Sequence, residues 1–173
     1  ADDMNSMFYT INDMDGHLAI VDGGWAEDAS HVAEVINVSG GKVDAWFLTH
    51  PHPDHIGAFN TIYRDNMVGS IRNIYIPDMA SIEECLSVAS WDDASAYEDF
   101  LALGIEDINY VHRGDELDFY GLDIKVFNAF DDKVRELSKD YLNDGSIMFK
   151  AKADDTSILF CADVGKSLSD YLL

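Results

Sequence analysis

The stretch that decides the fold is Thr49-His50-Pro51-His52-Pro53-Asp54-His55-Ile56-Gly57. Three of the six histidines of the chain fall within six consecutive positions, with an aspartate between the last two. The mostly apolar run Val43–Leu48 comes directly before this stretch, and apolar residues follow it at helical spacing. The pattern therefore predicts a strand, then a loop that carries four metal-binding side chains, and then a helix.

The four side chains of this loop have the chemistry of metal ligands. Imidazoles and carboxylates bind Zn²⁺, Fe or Mn²⁺. In an extended backbone His50 and His52 point to the same side and can hold one ion, whereas the adjacent Asp54 and His55 face differently and suit a second ion. Prolines between the ligands stiffen the loop, which lowers the entropy cost of holding them. The alternative to a metal site is a solvated, histidine-rich turn that binds no metal.

Composition limits the remaining possibilities. A chain of 173 residues with 47% hydrophobic and 12% aromatic residues is long enough for one domain with a real core. Thirty-three acidic and eleven basic residues give a net charge of −22, which disfavours nucleic acid as a partner. Because no apolar run approaches the roughly 20 residues needed to span a bilayer, we expect a soluble protein without a membrane segment.

The cysteines leave the cellular compartment open. Cys85 and Cys161 are far apart in the sequence and have no CxxC spacing. We expect two reduced, buried thiols, with a disulfide as the alternative.

The rest of the chain changes from alternating strands and helices to a run of strands, which predicts an α/β protein with a mixed sheet. Asp131–Tyr141 is consistent with a short helix or an ordered loop. We predict helices after Asp28 as far as Gly40, around 56–63, at Ser81–Ala89, at Trp91–Leu103 and from Ser167 onward. The predicted strands are Met7–Asn12, His17–Asp22, Val43–Leu48, Ile71–Ile76, Ile108–His112, Glu116–Tyr120, Leu122–Ala129, Ser146–Ala151 and Ser157–Ala162.

His50–His55 matches the HxHxDH signature of the metallo-β-lactamase fold superfamily. Ile20–Gly24 resembles the strand-Asp-Gly turn that precedes this signature, and Ile158–Asp163 resembles the late strand that ends in a metal-bridging aspartate. The resemblance covers nearly all of the chain. It implies an αββα sandwich with mixed sheets.

The resemblance also implies a ligand set. His50 and His52 would hold the first metal, Asp54 and His55 the second, and Asp163 would bridge both. Asp22 would support the signature loop rather than bind metal directly. The metal would be zinc, with two ions in the site, and Mn or Fe as alternatives.

Within the superfamily the chain looks most like the branch that contains the extracytoplasmic domain of ComEC-type DNA-uptake proteins. Arg113–Leu117 resembles the GD-x-L hairpin of that branch, and Asn143–Met148 resembles its N-x-x-S-L-V strand entry. These features are less specific than the histidine motif.

The implied activity is hydrolysis by a metal-bound hydroxide that Asp54, as the catalytic residue, would orient. The expected substrate is a small molecule, namely a phosphodiester or a related small ester. Two alternatives stay open: hydrolysis of an ester, thioester or lactam, and a metal-binding or interaction module whose catalysis is impaired. The oligomeric state is not indicated.

The chain departs from the superfamily pattern in several places. The superfamily commonly supplies a third histidine to the first metal, but His112 precedes the Gly-Asp hairpin, which is the wrong place for it. The resemblance to the ComEC-type branch, in which that ligand is typically absent, implies that Asn143 or Ser146 lies near the corresponding place. Ala162 replaces the glycine that usually precedes the bridging aspartate, and no histidine follows Asp163. We therefore expect a single domain over residues 1–173 that is a fragment lacking the first strand and the C-terminal part, and that binds metal less tightly than a complete relative.

Overall fold

The computed structural model describes residues 6–172. Its helices are α1 Ala29–Val38, α2 Pro53–Asp65, α3 Ile82–Val88, α4 Ser95–Ala102, α5 Asp132–Leu137, α6 Tyr141–Asp144 and α7 Ser169–Leu172. Its strands are β1 Phe8–Asn12, β2 Leu18–Asp22, β3 Lys42–Val43, β4 Ala45–Phe47, β5 Ser70–Ile71, β6 Ile74–Pro77, β7 Asn109–Val111, β8 Glu116–Phe119, β9 Leu122–Asn128, β10 Met148–Ala153 and β11 Thr156–Phe160. No helix among the described residues is long and apolar enough to cross a membrane.

The chain forms two compact units. The first runs to Tyr75 and includes Asp93–Asn109, and the second consists of Ile76–Asp92 and the chain from Tyr110 onward. The prediction of one domain over residues 1–173 stays a prediction.

The first unit is built on a five-stranded sheet in the order β1, β2, β4, β6, β7, to which β6 and β7 contribute Ile74–Tyr75 and Asn109. β1 and β2 form an antiparallel hairpin, as the Asp15-Gly16 pair between the two apolar stretches predicts, with Thr10 opposite Ile20. β2, β4 and β6 are parallel neighbours. All three residues of β4 are buried, as expected for an inner strand of a parallel sheet that is covered on both faces.

α2 packs on this sheet through the apolar face that the sequence predicted. The Trp46 and Phe59 rings meet edge to face with their centroids 5.0 Å apart. Phe59 also lies 6.0 Å from Phe100 of α4, and the side-chain amide of Asn60 donates to the carbonyl of Ala96 at 2.9 Å. These contacts fix the start of α2, where the histidine motif lies.

Two predicted strands are wrong in the same way. Val43–Leu48 is divided into β3 and β4 at Asp44, and Ile71–Ile76 is divided into β5 and β6. The reason is that the Asp44 carboxylate accepts from the backbone N–H of Leu18 at 3.1 Å and pairs with Arg72 at 3.1 Å. β3 and β5 consequently form a separate two-stranded parallel sheet.

The predicted helix Trp91–Leu103 begins only at Ser95. The Asp93 carboxylate accepts from the Ser95 backbone N–H at 2.9 Å, which starts α4 there. Trp91 precedes the helix and is 72% exposed, and Leu101 is 55% exposed rather than on the buried face.

The second unit contains a four-stranded antiparallel sheet in the order β11, β10, β9, β8, which confirms the change to a strand-rich section. One face is apolar and buried, and the other carries lysines and carboxylates. Asp131–Tyr141 resolves into α5 and the first residue of α6, and the Asp131 side chain caps α5 by accepting from the backbone N–H of Lys133 and of Val134 at 2.8 Å.

The two cysteines are free thiols, but only one is buried as predicted. Cys85 lies in α3 and is 1% exposed, and burial is the main cause that raises its pKa to about 11. Cys161 is exposed because it follows the last residue of the edge strand β11. The expectation of a buried Cys161 is therefore wrong.

Candidate metal centre

The histidine motif lies where a parallel strand gives way to a helix. β4 ends at Phe47, and α2 begins at Pro53, a residue that suits the first turn of a helix because it has no backbone N–H. His52 immediately precedes the helix and has an extended backbone, with φ −81° and ψ 153°. The loop therefore places His50 and His52 just before α2, and His55 in its first turn.

The three imidazoles form one compact, buried cluster in the first unit. Nε2 of His50 lies 3.0 Å from Nδ1 of His52. The rings of His50 and His55 have centroids 4.0 Å apart, and a ligand nitrogen of one lies within 4.8 Å of a ligand nitrogen of the other. Exposure is 1% for His50, 9% for His52 and 0% for His55. His50 therefore contacts both of the other histidines, rather than His52 alone.

Asp22 orients the cluster from the end of β2. Its carboxylate is buried and accepts from the backbone N–H of Thr49 at 2.7 Å, from the Thr49 hydroxyl at 2.8 Å and from Nδ1 of His55 at 2.8 Å. Because a carboxylate accepts at Nδ1, that nitrogen carries the proton and Nε2 carries the lone pair that can bind a metal. These hydrogen bonds are those expected of a residue that supports the histidine loop, which is the role predicted for Asp22 from the sequence.

Sequence reasoning missed Thr49. Besides its bond to Asp22, its hydroxyl lies 3.2 Å from Nδ1 of His50. One hydroxyl thus links the aspartate to the first histidine of the motif. The available signal was its position, since Thr49 is a hydroxyl side chain between the apolar strand and His50.

Burial sets the charge state of the cluster. Desolvation, together with the neighbouring His55 and His52, holds the pKa of His50 well below its ordinary value. Burial also raises the pKa of Asp22, against the opposing effect of its hydrogen bonds with His55 and Thr49. His50 is consequently a neutral imidazole at neutral pH, which is the form that binds metal.

Asp54 is close to this cluster but more open to solvent. Its Oδ2 lies 3.8 Å from Nε2 of His55, and its side chain is 29% exposed. The four ligands predicted within the motif are therefore together in the first unit. Imidazoles with one carboxylate are a donor set that fits Zn²⁺, Fe or Mn²⁺.

Glycines lock the turn after β2 onto the start of α2. The backbone N–H groups of Gly23 and Gly24 donate to the carbonyl of His55 at 2.7 and 3.2 Å. A Cβ on Gly57 would lie 2.6 Å from the backbone nitrogen of Ala26, so the close approach requires glycine at that position. This contact fixes the helix turn that carries His55 and Gly57.

Asp163 belongs to the second unit. It is exposed and lies three residues beyond Phe160, the last residue of β11, rather than at the strand end itself. The preceding Ala162 has φ 46°, in the left-handed region that costs a residue with a Cβ roughly 1–2 kcal/mol. This conformation is a physical reason for the glycine that the superfamily pattern has there.

We predict that Ala162→Gly stabilises the protein by about 0.5–1 kcal/mol, because it relieves this backbone strain at the cost of some unfolded-state entropy. Urea denaturation measures the effect. The matched control is Ala153→Gly at the exposed end of β10, which should be destabilising. A loss of stability in Ala162→Gly would contradict the claim that the backbone is strained at Ala162.

Other polar residues singled out in the sequence belong to the second unit, where each has local contacts. His112 is exposed, and its Nδ1 is 3.6 Å from Asp115 in the turn between β7 and β8. The Asn143 side chain donates to Asp140 at 2.8 Å, and the Ser146 hydroxyl donates to the carbonyl of Asn143 at 2.6 Å.

The sequence profile of the Metallo-beta-lactamase superfamily matches residues 3–78, which include the whole histidine motif. YhfI from Bacillus subtilis, a metallo-beta-lactamase fold protein, superposes with a TM-score of 0.58 at 17% identity, over 99% of this chain and 61% of that one. The chain has the metallo-beta-lactamase fold. No protein of curated function matches it significantly.

Two further solved structures with this fold differ in chemistry. BJP-1, a subclass B3 metallo-beta-lactamase of Bradyrhizobium japonicum, has a TM-score of 0.56 at 16% identity, over 90% of this chain and 55% of that one. A CmlA beta-hydroxylase mutant has a TM-score of 0.55 at 15% identity, over 92% of this chain and 29% of that one. The metallo-beta-lactamase fold thus does not decide the reaction. The present chain spans roughly three fifths or less of the length of these structures.

Proposed function

We propose that the chain is a metal-dependent hydrolase of the metallo-beta-lactamase fold. The observation that carries the proposal is the buried cluster of His50, His52 and His55, oriented by Asp22 and Thr49. The three imidazoles lie against one another and are almost fully removed from solvent, and such a set of nitrogen donors suits a divalent cation.

We assign zinc as the metal, with two ions in the complete site. His50 and His52 would hold the first ion, and Asp54 and His55 would hold the second. Asp163 is assigned as the bridging ligand on the resemblance of Ile158–Asp163 to the late strand of the superfamily.

A bound cation supplies Lewis-acid chemistry, because it makes water more acidic and polarises the oxygen of an ester or phosphoryl group. The residues of the chain hold the metal ligands and the reacting water in place. Asp22 keeps the ring of His55 in one tautomer and one orientation. We assign to Asp54, which lies at the partly exposed edge of the cluster, the role of orienting the attacking hydroxide.

A small phosphodiester or related ester is the proposed substrate class. The support is the resemblance to the ComEC-type branch, whose Gly-Asp hairpin corresponds to an ordered turn here: Asp115 accepts from the backbone N–H of His112 at 2.8 Å, and Gly114 has φ 93°. A net charge of −22 disfavours long nucleic acid and favours a small substrate.

One observation favours a second candidate, a metal-binding module without turnover. The strained Ala162 stands beside the proposed bridging ligand Asp163. Misplacing a catalytic group by about 1 Å can cost two orders of magnitude in rate. Such a module would bind metal and hydrolyse nothing.

The test is metal content together with hydrolysis of bis(p-nitrophenyl) phosphate, p-nitrophenyl acetate and nitrocefin. We expect stoichiometric zinc and a phosphodiesterase rate that a chelator removes and zinc restores. Asp54→Asn should lower kcat by about 100-fold or more, while the ion held by His50 and His52 is retained. His112→Ala is the matched control, because this exposed histidine lies outside the cluster.

The possible outcomes separate the candidates. Stoichiometric zinc without turnover of any of the three substrates would support the module instead of the hydrolase. Turnover of p-nitrophenyl acetate alone or of nitrocefin alone would show that the substrate is a carboxylic ester or a lactam rather than a phosphodiester. Protein that binds no zinc would contradict both candidates.

A further inference from the structure

The buried carboxylate of Asp144 lies outside the proposed ligand set and within the second unit. It is the last residue of α6 and is 3% exposed. A buried carboxylate is costly unless hydrogen bonds satisfy it. Asp144 accepts three: from the Ser138 hydroxyl at 2.6 Å, from the backbone N–H of Gly165 at 2.7 Å and from the Ser167 hydroxyl at 2.5 Å.

Two of these three donors belong to the loop that carries Asp163. The backbone N–H of Gly165 and the hydroxyl of Ser167 lie two and four residues beyond it. A Cβ on Gly165 would lie 2.7 Å from Oδ1 of Asp144, so the approach depends on glycine. The contact is therefore specific to this loop and this carboxylate.

Asp144 is itself held rigidly. The side-chain amide of Asn128, a fully buried residue of β9, donates to the carbonyls of Asp144 and Ser146, both at 2.8 Å. The carboxylate thus projects from a fixed backbone, anchored to the central part of the sheet.

The 161–167 loop is fixed at both ends. Phe160 pairs with Phe149 in the sheet at its start, and Asp144 binds residues 165 and 167 at its other end. Asp163 is exposed and lies between these two anchors, in a turn closed by a 3.4 Å bond from the N–H of Val164 to the carbonyl of Cys161. The position of its carboxylate therefore depends on both anchors.

We infer that Asp144 is a positioning residue for Asp163, acting through Gly165 and Ser167. It fixes the loop in the metal-free protein and thereby raises metal affinity. The effect of Asp144 on metal affinity rests on the proposed function, in which Asp163 is a ligand. Its effect on the order of the 161–167 loop is independent of the proposed function.

The first measurement is hydrogen exchange of the metal-free 173-residue chain, followed by mass spectrometry. In Asp144→Asn we expect exchange in residues 161–167 to be about 10-fold faster, with β9 unchanged. Ser167→Ala should also make exchange in this loop faster. Ser138→Ala is the matched control and should leave exchange in the loop unchanged, because the Ser138 hydroxyl binds the same carboxylate from outside the loop. Unchanged exchange in both Asp144→Asn and Ser167→Ala would overturn the inference.

The second measurement is zinc affinity, by competition with a chelator, in a double-mutant cycle with Asp163→Asn. Asp144→Asn should weaken affinity by about 10-fold or more when Asp163 is present, and by less than about 2-fold in the Asp163→Asn background. An equal loss in both backgrounds would overturn the inference, because Asp144 would then act elsewhere. If Asp163→Asn alone binds zinc like the parent, the proposed bridging ligand is wrong, and the exchange result alone decides whether Asp144 positions the loop.

Discussion

Replacing both His50 and His52 by alanine is expected to lower zinc affinity by more than about 100-fold while the metal-free domain still unfolds cooperatively. The two rings supply adjacent nitrogens, 3.0 Å apart, so their removal eliminates the pair assigned to the first ion. Loss of even a residue that only supports a metal ligand typically costs 10–100-fold, and loss of two ligands should cost more. Competition titration measures the affinity, and thermal unfolding of metal-free protein measures the fold.

The domain should survive because its core does not depend on these rings. The sheet and α2 are held by Trp46, Phe59 and the other apolar contacts. His112→Ala, at an exposed position, controls for the loss of an imidazole as such. If the double variant loses cooperative unfolding without metal, the cluster is structural, and the prediction is wrong.

Gly57→Ala is expected to destabilise the protein by about 2 kcal/mol or more, although alanine normally stabilises a helix by about 1 kcal/mol relative to glycine. The added Cβ would lie 2.6 Å from the backbone nitrogen of Ala26 and 3.1 Å from the carbonyl carbon of Trp25. Because both neighbours are backbone atoms, relief requires α2 to move, and overpacking of this kind typically costs 1–3 kcal/mol. Guanidinium denaturation measures the free energy of unfolding.

The same shift should disturb the histidine cluster, since Gly57 lies two residues after His55. The control is Gly104→Ala, where φ is +62° but a Cβ would meet nothing within 4 Å. That variant should lose only the cost of the left-handed backbone, roughly 1–2 kcal/mol, and keep its zinc affinity. A Gly57→Ala protein as stable as the parent would show that the turn and the helix are not in tight contact.

Local patterns predicted the elements around the motif because local physics determines them. The Asp-Gly turn between two apolar runs produced the β1–β2 hairpin, and the spacing of Ile56, Phe59 and Ile62 produced the buried face of α2. The histidine motif predicted a metal site because few other arrangements bring so many ligands into six residues. The apolar run before the motif and the helical spacing after it also predicted that the motif lies between a strand and a helix, here β4 and α2.

Other features depend on contacts between segments that are distant in the sequence. Asp44 divides a predicted strand because its carboxylate binds Leu18 and Arg72, which no local pattern announces. Thr49 and Asp144 were missed for the same reason, since their bonds to Asp22 and to residues 165 and 167 join separate parts of the chain. Cys161 was expected to be a buried thiol, as free cysteines commonly are, but it follows the edge strand β11 and is exposed.

The most direct test of the metal centre is a crystal grown with zinc and measured on both sides of the zinc absorption edge. We predict an anomalous peak about 2.0–2.1 Å from ring nitrogens of His50 and His52. A peak at His112 or at surface carboxylates, with none at the cluster, would contradict it.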